Sequence, residues 1–200
     1  MLQDITAIFA AMNITINITP KANDTGHDIE LLVRGRRIAH MSIIVSTGTI
    51  EDYRKMKEDI PVLHIPWIHV EETHQGHGIA SLLLLYGLLY EHEQNPRIEF
   101  ATLDDDSDRS NSISGNIYEK VGYVHVNVPT EVVNKDGVMV WKLHGPERQL
   151  RLNEAFQARA KSMIESYKER NKHTKLGKKS KQNRYKRHSR KRRIRRSRSK

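Results

Sequence analysis

The sequence predicts an α/β protein in which one mixed β-sheet is flanked by helices and followed by a C-terminal helix and a disordered basic tail. Apolar runs with strand periodicity alternate with segments of helical character, and this alternation is typical of a mixed sheet. A long apolar helix at about residues 77–93 stands between two of the strand-like runs. The tail contains too little apolar surface to fold by itself.

The predicted elements run from an N-terminal strand to a C-terminal pair of strands. Ile14, Ile16 and Ile18 alternate with polar residues, and residues 29–34 and 37–45 flank Gly35-Arg36 as a hairpin. Residues 51–59 are polar and predict a short helix or a loop. The remaining elements are a strand at 62–70, the helix at 77–93, a strand at 97–103, a helix at 111–121, and strands at 123–128 and 138–143.

Length and composition divide the chain into three segments. The 200 residues suit one globular domain, which we place at 1–145, followed by an amphipathic helix or linker at 146–170 and the tail at 171–200. Apolar residues recur at helical spacing between Glu147 and Lys172, so this segment packs on the domain, acts as a spacer, or binds a partner. The absence of cysteine excludes disulfides and a cysteine nucleophile.

Charge separates the tail from the rest of the chain. Sixteen of the 34 Lys and Arg residues lie in 171–200 and all 24 Asp and Glu residues lie in 1–170, so these parts carry formal charges of +16 and −6. A basic run of this kind is typical of nuclear import and of non-specific DNA or RNA contact, and the alternative is a solvated tail without a partner. No apolar run approaches the ~20 residues that span a membrane. We therefore expect an intracellular, nuclear protein with no membrane partner.

The most informative segment is Gln75-Gly76-His77-Gly78-Ile79-Ala80, which joins the strand at 62–70 to the long helix. A strand, a glycine turn and a helix in this order direct several backbone N–H groups at one point, where the helix dipole adds positive potential. The spacing matches neither a Walker loop nor a dinucleotide fingerprint. By itself the turn predicts either a phosphate site or a tight connection between strand and helix.

A second segment, about 30 residues further on, extends this pattern. The pattern Asn-x-x-Ala/Ser-x-x-x-Tyr-x-x-x-Gly-Phe/Tyr is matched by Asn111, Ser114, Tyr118, Gly122 and Tyr123. The pattern Gln/Arg-x-x-Gly-x-Gly/Ala is matched in the glycine turn by Gln75, Gly78 and Ala80. With both motifs in this order, the chain resembles the GCN5-related N-acetyltransferase (GNAT) family over about residues 12–144. The resemblance implies the acyl-CoA N-acyltransferase-like fold and direct transfer of an acetyl group from acetyl-CoA to an amine within a ternary complex.

The resemblance also implies a binding site for acetyl-CoA as co-substrate. Its pyrophosphate would be held by the backbone N–H groups of Gly76, His77, Gly78, Ile79 and Ala80, with a side-chain contact from Gln75. Ile68 and Val70 match the strand whose main chain pairs with the pantetheine arm and polarises the thioester carbonyl. Asn111 either caps its helix or bonds the cofactor.

Two residues are candidates for proton transfer. Tyr118 matches the tyrosine that protonates the departing thiolate in many family members, a role that suits a phenol of pKa ~10. His64 lies on the strand before the turn and is the candidate general base, because imidazole titrates near neutrality. Glu71, Glu72 or a chain of waters are the alternatives. Strand alternation predicts that His69 faces away from His64.

Two further features bear on this strand. Pro66 removes a ladder donor, so we expect a bulge or an edge position, or else a shifted register that would undo the assignment of His64. Four histidines, at positions 64, 69, 74 and 77, lie close together in sequence, but their spacing matches no zinc motif and we expect no metal.

Charge is the only property of the sequence that bears on the chemical class of the acetyl acceptor. The acidic body favours a basic acceptor, such as a protein lysine, an N-terminus or a polyamine, and the chain's own tail qualifies equally. The alternative function belongs to a different class: a catalytically inactive GNAT-fold protein that binds nucleic acid through residues 171–200.

Overall fold

The computed structural model describes residues 1–22, 25–52, 55–103, 117–126, 130–133, 139–142 and 148–170. The chain divides into two compact units, Met1–Lys161 and Ser162–Lys200. Asn111 and the tail at 171–200 lie outside the described residues. In the second unit residues 162–170 are helical, and Lys168 Nζ lies 2.8 Å from Glu165 Oε1.

The described part of the chain begins and ends with a helix and has strands and further helices between them. The helices are α1 (Leu2–Ala11), α2 (Ile79–Gln94), α3 (Ile117–Val121) and α4 (residues 154–170), and a 3-10 turn covers Glu72–His74. The strands are β1 (Thr15–Pro20), β2 (Gly26–Val33), β3 (Arg36–Asp52), β4 (Lys55–Val70), β5 (Phe100–Leu103), β6 (Val124–His125), β7 (Thr130–Val133), β8 (Met139–Lys142) and β9 (Arg148–Arg151).

One mixed sheet organises the first unit. Its seven strands follow the order β1-β2-β3-β4-β5-β9-β6, and β7 and β8 pair as a separate two-stranded sheet. The β4–β5 pair is parallel, whereas the other strand pairs of the seven-stranded sheet are antiparallel. The parallel pair is connected through α2, as a crossover between parallel strands requires. The predicted mixed sheet with flanking helices is confirmed.

Helix α2 covers one face of this sheet and is buried along most of its length, including Leu82 to Leu85. Gly87 allows the close approach, because a Cβ there would overlap the end of the Met41 side chain and lie 3.2 Å from Ile29 Cδ1. The buried Glu91 bonds His27 Nδ1 at 2.6 Å and so ties the last turns of α2 to β2. Among the described helices none is long and apolar enough to cross a membrane.

Two predicted elements are wrong. Residues 51–52 and 55–59 are not a helix or loop, because they belong to β3 and β4, in which Ile50 pairs with Lys57 and Asp52 with Lys55. The helix predicted from Glu147 begins only at residue 154, because Arg148–Arg151 forms β9 between β5 and β6. In both places backbone pairing overrides side-chain patterns that are too polar to indicate a strand.

Two glycines of the β2–β3 hairpin have positive φ but differ in the space available for a side chain. Gly35 (φ +78°) follows Arg34 (φ +52°) in the turn, as a two-residue hairpin turn of type I′ requires, and nothing lies within 4 Å of a Cβ built on it. Gly26 (φ +135°) starts β2, and its Cβ would overlap the Ile43 carbonyl oxygen and lie 2.7 Å from Ile44 Cα.

We expect Gly26→Ala to lower the free energy of unfolding by about 3 kcal/mol or more, because it adds a backbone collision to the strained φ. Gly35→Ala is the matched control and should cost only about 1–2 kcal/mol, since only the left-handed conformation penalises it. Urea denaturation of the full chain measures both. Equal losses would contradict the role assigned to the Ile43 carbonyl.

Candidate active site

The glycine turn has the geometry expected of an anion site. Gly76 and Gly78 have φ values of +75° and +79°, and Gly78 is the N-cap of α2. The first N–H groups of a helix have no intrahelical partner, so those of Ile79 and Ala80 point out of the helix at this end. Because α2 is 16 residues long, the positive end of a full helix dipole coincides with these donors. The predicted succession of strand, glycine turn and helix is confirmed.

Side chains hold this turn against the end of β4. Gln75 Nε2 donates to the Val70 carbonyl at 2.9 Å, and His77 Nδ1 lies 2.8 Å from the Gln75 carbonyl oxygen, to which it can only donate. Gln75 therefore closes the loop over residues 70–75, a role that the sequence motif alone does not indicate. The exposed His77 ring is directed along the turn by its own hydrogen bond.

The second feature of the site is the separation of β4 from β5. Their parallel pairing covers Val62 to His64 on β4 and ends where His64 meets Thr102, whereas β4 continues to Val70. Beyond this point the edge of β4 that faces β5 is no longer occupied by that strand. Among the described residues no strand pairs with this edge of β4 from Ile65 to Val70, and we call this stretch of unpaired strand edge, which runs toward the glycine turn, the opening.

Backbone alternation decides which β4 groups line this opening. The Glu71 N–H donates to the Ile38 carbonyl at 2.9 Å, so it points toward β3. Successive residues of a strand direct their N–H and C=O groups to opposite sides, so those of Val70 and Ile68 point away from β3 and into the opening. The Val70 carbonyl accepts the Gln75 bond, which leaves the Val70 N–H and both backbone groups of Ile68 directed at the opening.

A bulge in β4 reverses one prediction. Ile44 pairs with His64 and Ser42 with Trp67, so two steps on β3 correspond to three on β4, and the extra residue falls at Ile65–Pro66. The bulge expected at Pro66 is thereby confirmed. Because His40 in turn pairs with His69, the extra residue places His64, Trp67 and His69 on the same face of the sheet. The prediction that His69 faces away from His64 is wrong.

This face is the one turned away from α2, and we call it the histidine face. Cross-strand pairing assigns to it Asp28 and Glu30 on β2, His40 and Ser42 on β3, and His64, Trp67 and His69 on β4. Their neighbours Ile29 and Met41 occupy the opposite face, against Gly87 of α2. The histidine face is polar and aromatic where the other is aliphatic, which is the alternation typical of an antiparallel sheet with one solvated side.

His64 lies where β4 and β5 separate. Its Nδ1 is 3.3 Å from the hydroxyl oxygen of the buried Thr102, so the ring is anchored on one nitrogen and presents the other. The alternative bases are placed differently. Glu71 lies 3.3 Å from Arg36 of the β2–β3 hairpin and 3.8 Å from His74, and Glu72 begins the exposed 3-10 turn.

Tyr118 lies on α3, which packs against α2. Its carbonyl accepts from the N–H groups of Gly122 and Tyr123, both at 3.0 Å, and Gly122 ends the helix with φ +116°. Its ring has the Tyr123 ring 6.1 Å away and the Arg148 guanidinium 5.9 Å away. Burial raises the pKa of Tyr123 well above 10, and its hydroxyl has no partner among the described residues.

Burial favours the neutral form of His40 at the centre of the histidine face. It lowers the pKa of His40 below its ordinary 6.5, and Arg37 and His69 act in the same direction, while Glu30 and Asp28 oppose them. Hydrogen bonds from Asn17 and Arg37 hold the pKa of Glu30 below 4.5. Among the described residues no group of three His, Asp or Glu side chains is arranged to hold a metal ion.

No family model matches the sequence, and no curated protein matches it. Solved structures with a similar fold include an acetyltransferase of the GNAT family from Streptococcus pneumoniae, with 15% identity over 66% of this chain and 70% of that one, at a TM-score of 0.43. The NatC complex bound to Gag peptide and CoA matches with 18% identity over 63% and 71%, at 0.39. AtaTR bound with AcCoA matches with 10% identity over 66% and 94%, at 0.44.

The lowered pKa of His40 makes the stability of the fold depend on pH. The unfolded chain binds a proton at His40 more tightly than the folded one, so stability should decline as the pH falls below about 6.5. We expect His40→Gln to lose less stability than the wild type between pH 7.5 and 5.5, as measured by thermal unfolding at each pH. His77→Gln, at an exposed position, is the matched control. A decline in His40→Gln as steep as that of the wild type would refute the assignment.

Proposed function

We propose that this protein is an acetyl-CoA-dependent N-acetyltransferase that transfers the acetyl group directly to an amine. The observation that carries the proposal is the end of the β4–β5 pairing at His64, after which the edge of β4 at Ile68 has no paired strand among the described residues and runs to the glycine turn at the start of α2. This arrangement offers a strand edge for an amide-containing arm and convergent N–H groups for a pyrophosphate at its end. The first sequence motif of the GNAT resemblance lies on the glycine turn and the start of α2, and the described part of the second motif lies on α3 and the two residues after it.

Acetyl-CoA fits the chemistry of these groups. The pyrophosphate would accept from the N–H groups of Gly76 to Ala80, where positive φ at both glycines turns the backbone toward the ligand. The pantetheine amides would pair with Ile68 and with the Val70 N–H, and these donors would also stabilise negative charge on the thioester oxygen. Gln75 acts indirectly, because it holds the turn to Val70.

The placement of His64 and Tyr118 suggests a route for each proton transfer in the reaction. The attacking ammonium must first lose a proton, and His64 at the mouth of the opening is our proposed acceptor, with Thr102 fixing its ring. As the neutral amine nitrogen forms its bond to the carbonyl carbon, the C–S bond breaks and the thiolate takes a proton from Tyr118. The proton that the new amide nitrogen then loses returns to the Tyr118 oxygen and restores the phenol. The base and the acid then lie on different elements, β4 and α3.

The charge of the tail favours a second candidate function. Sixteen basic and no acidic residues in 171–200 suit non-specific binding of DNA or RNA, and the same run suits nuclear import. In this alternative the folded unit is an inactive scaffold.

In the first candidate function the amine acceptor would be basic, such as a protein lysine, an N-terminus or a polyamine, because the acidic body would attract it.

Acetyl-CoA binding tests the anion site directly. Gly78→Glu places a carboxylate among the pyrophosphate donors and should weaken binding by about 100-fold or more, or about 2.7 kcal/mol. Gly35→Glu is the matched control, because it adds the same side chain at nearly the same φ in the β2–β3 turn. Calorimetric titration of the full chain gives both affinities, and circular dichroism checks folding. Failure of the wild type to bind acetyl-CoA would refute the proposal and favour the scaffold.

The acid role of Tyr118 is tested by removing one oxygen. We expect Tyr118→Phe to lower kcat by about 10²- to 10⁴-fold, the usual contribution of a general acid, with acetyl-CoA affinity unchanged. Tyr123→Phe removes a hydroxyl without a partner among the described residues and should keep full activity. Release of the CoA thiol is followed with spermidine and with a lysine peptide as acceptors. Equal activity in Tyr118→Phe and the wild type would exclude this step.

A further inference from the structure

Three rings on the histidine face form a cluster that the proposed chemistry does not use. The centroids of His40 and Trp67 are 4.3 Å apart in an edge-to-face arrangement, and those of His40 and His69 are 5.4 Å apart. We call His40, Trp67 and His69 the aromatic cluster. It lies on β3 and β4, beside the part of β4 whose opposite edge lines the opening.

Core packing does not account for this cluster. Trp67 is 44% exposed, although indole is among the most costly side chains to leave in water, and His69 is exposed as well. The bulge at Pro66 is what brings Trp67 and His69 to the same face as His40. An exposed tryptophan flanked by imidazoles, on the face opposite α2, is typical of a recognition surface.

Charge selects among the ligands that such rings bind. Burial lowers the pKa of His40 and so disfavours its charged form, and Asp28 and Glu30 are its acidic neighbours on β2. Both carboxylates already have partners, since Lys21 lies 2.9 Å from Asp28 and Arg37 lies 3.0 Å from Glu30. Lys21 and Arg37 are therefore already paired with protein carboxylates. Residues 1–170 as a whole carry a net charge of −6. A phosphate chain would be repelled, whereas a cation would be attracted to the π-face of Trp67.

We propose that the aromatic cluster binds an arginine or lysine side chain of a separate basic peptide, next to the acetyl-transfer site. The purpose of this surface rests on the proposed function, but the binding itself does not. The bound cation is a neighbour of the reacting amine and not that amine. A cation–π contact stabilises the charged form, whereas the nucleophile must be neutral to attack the thioester. The cluster therefore determines which amines are presented, through the residues that flank them.

Binding is measured on the full chain without acetyl-CoA, by fluorescence anisotropy of a labelled hexa-arginine peptide. The matched peptide is hexa-citrulline, which keeps the approximate size and planar end group of the side chain but lacks the charge. We expect Trp67→Leu to weaken binding of hexa-arginine by about two- to tenfold, the effect of losing a partly exposed cation–π contact. Trp67→Phe keeps an aromatic face and should retain most of the affinity. Binding of hexa-citrulline should be weak in all three proteins.

The controls separate this proposal from the acetyltransferase proposal. Gly78→Glu should bind hexa-arginine like the wild type, and Trp67→Leu should bind acetyl-CoA like the wild type. Failure of the wild type to bind acetyl-CoA while it still binds hexa-arginine refutes the acetyltransferase proposal alone, whereas equal hexa-arginine affinity in Trp67→Leu and the wild type refutes the proposed binding surface alone. A full-length variant with Gln at every Lys and Arg of 171–200 tests a competing occupant. If only that variant binds the peptide, the protein's own tail is the occupant and a separate peptide is excluded.

Discussion

The separation of β4 from β5 is the constraint on which the rest of the site depends. The N–H and C=O groups of a strand inside a sheet form hydrogen bonds with both neighbouring strands. A ligand can bond to these groups only where one of the neighbouring strands is no longer paired. In this sheet β5 pairs with β4 as far as His64, after which β4 continues for six residues toward the glycine turn with β3 as its paired neighbour on one side. The opening, the glycine turn proposed to bind the pyrophosphate and the proposed base are all defined relative to that last shared pair.

The bulge at Ile65–Pro66 makes this separation compatible with a continuous β3–β4 ladder. One extra residue on β4 bends the strand locally while its pairing with β3 resumes at Trp67 and reaches Val70. Proline suits the position because a bulged residue does not need its amide for the ladder. The same extra residue changes which side chains share a face, so a single insertion shapes both the backbone edge and the histidine face.

The parts of the site that the sequence predicts correctly are those set by local backbone chemistry. Gly76 and Gly78 occupy left-handed conformations that disfavour other residues, so the turn could be located without knowing any partner. The orientation of His69 could not be obtained from alternation alone, although Pro66 marks where alternation fails. The strand β9 was missed for a different reason. Arg148 and Gln149 are buried there by neighbours distant in sequence, and no periodicity of four residues reveals that environment.

Acyl transfer to an amine imposes two opposite demands on a protein surface. The reacting nitrogen must lose its charge, while a basic acceptor is attracted by that same charge. A sheet can meet both demands if the groups that favour the cation and the group that accepts the proton share one face at different positions along a strand. On β4, His64 lies at the last pair with β5 and Trp67 lies beyond the bulge, on the same face. The bulge thus separates His64, proposed to accept a proton from the reacting amine, from Trp67, proposed to bind a side chain that keeps its charge. This separation requires the register that Pro66 permits.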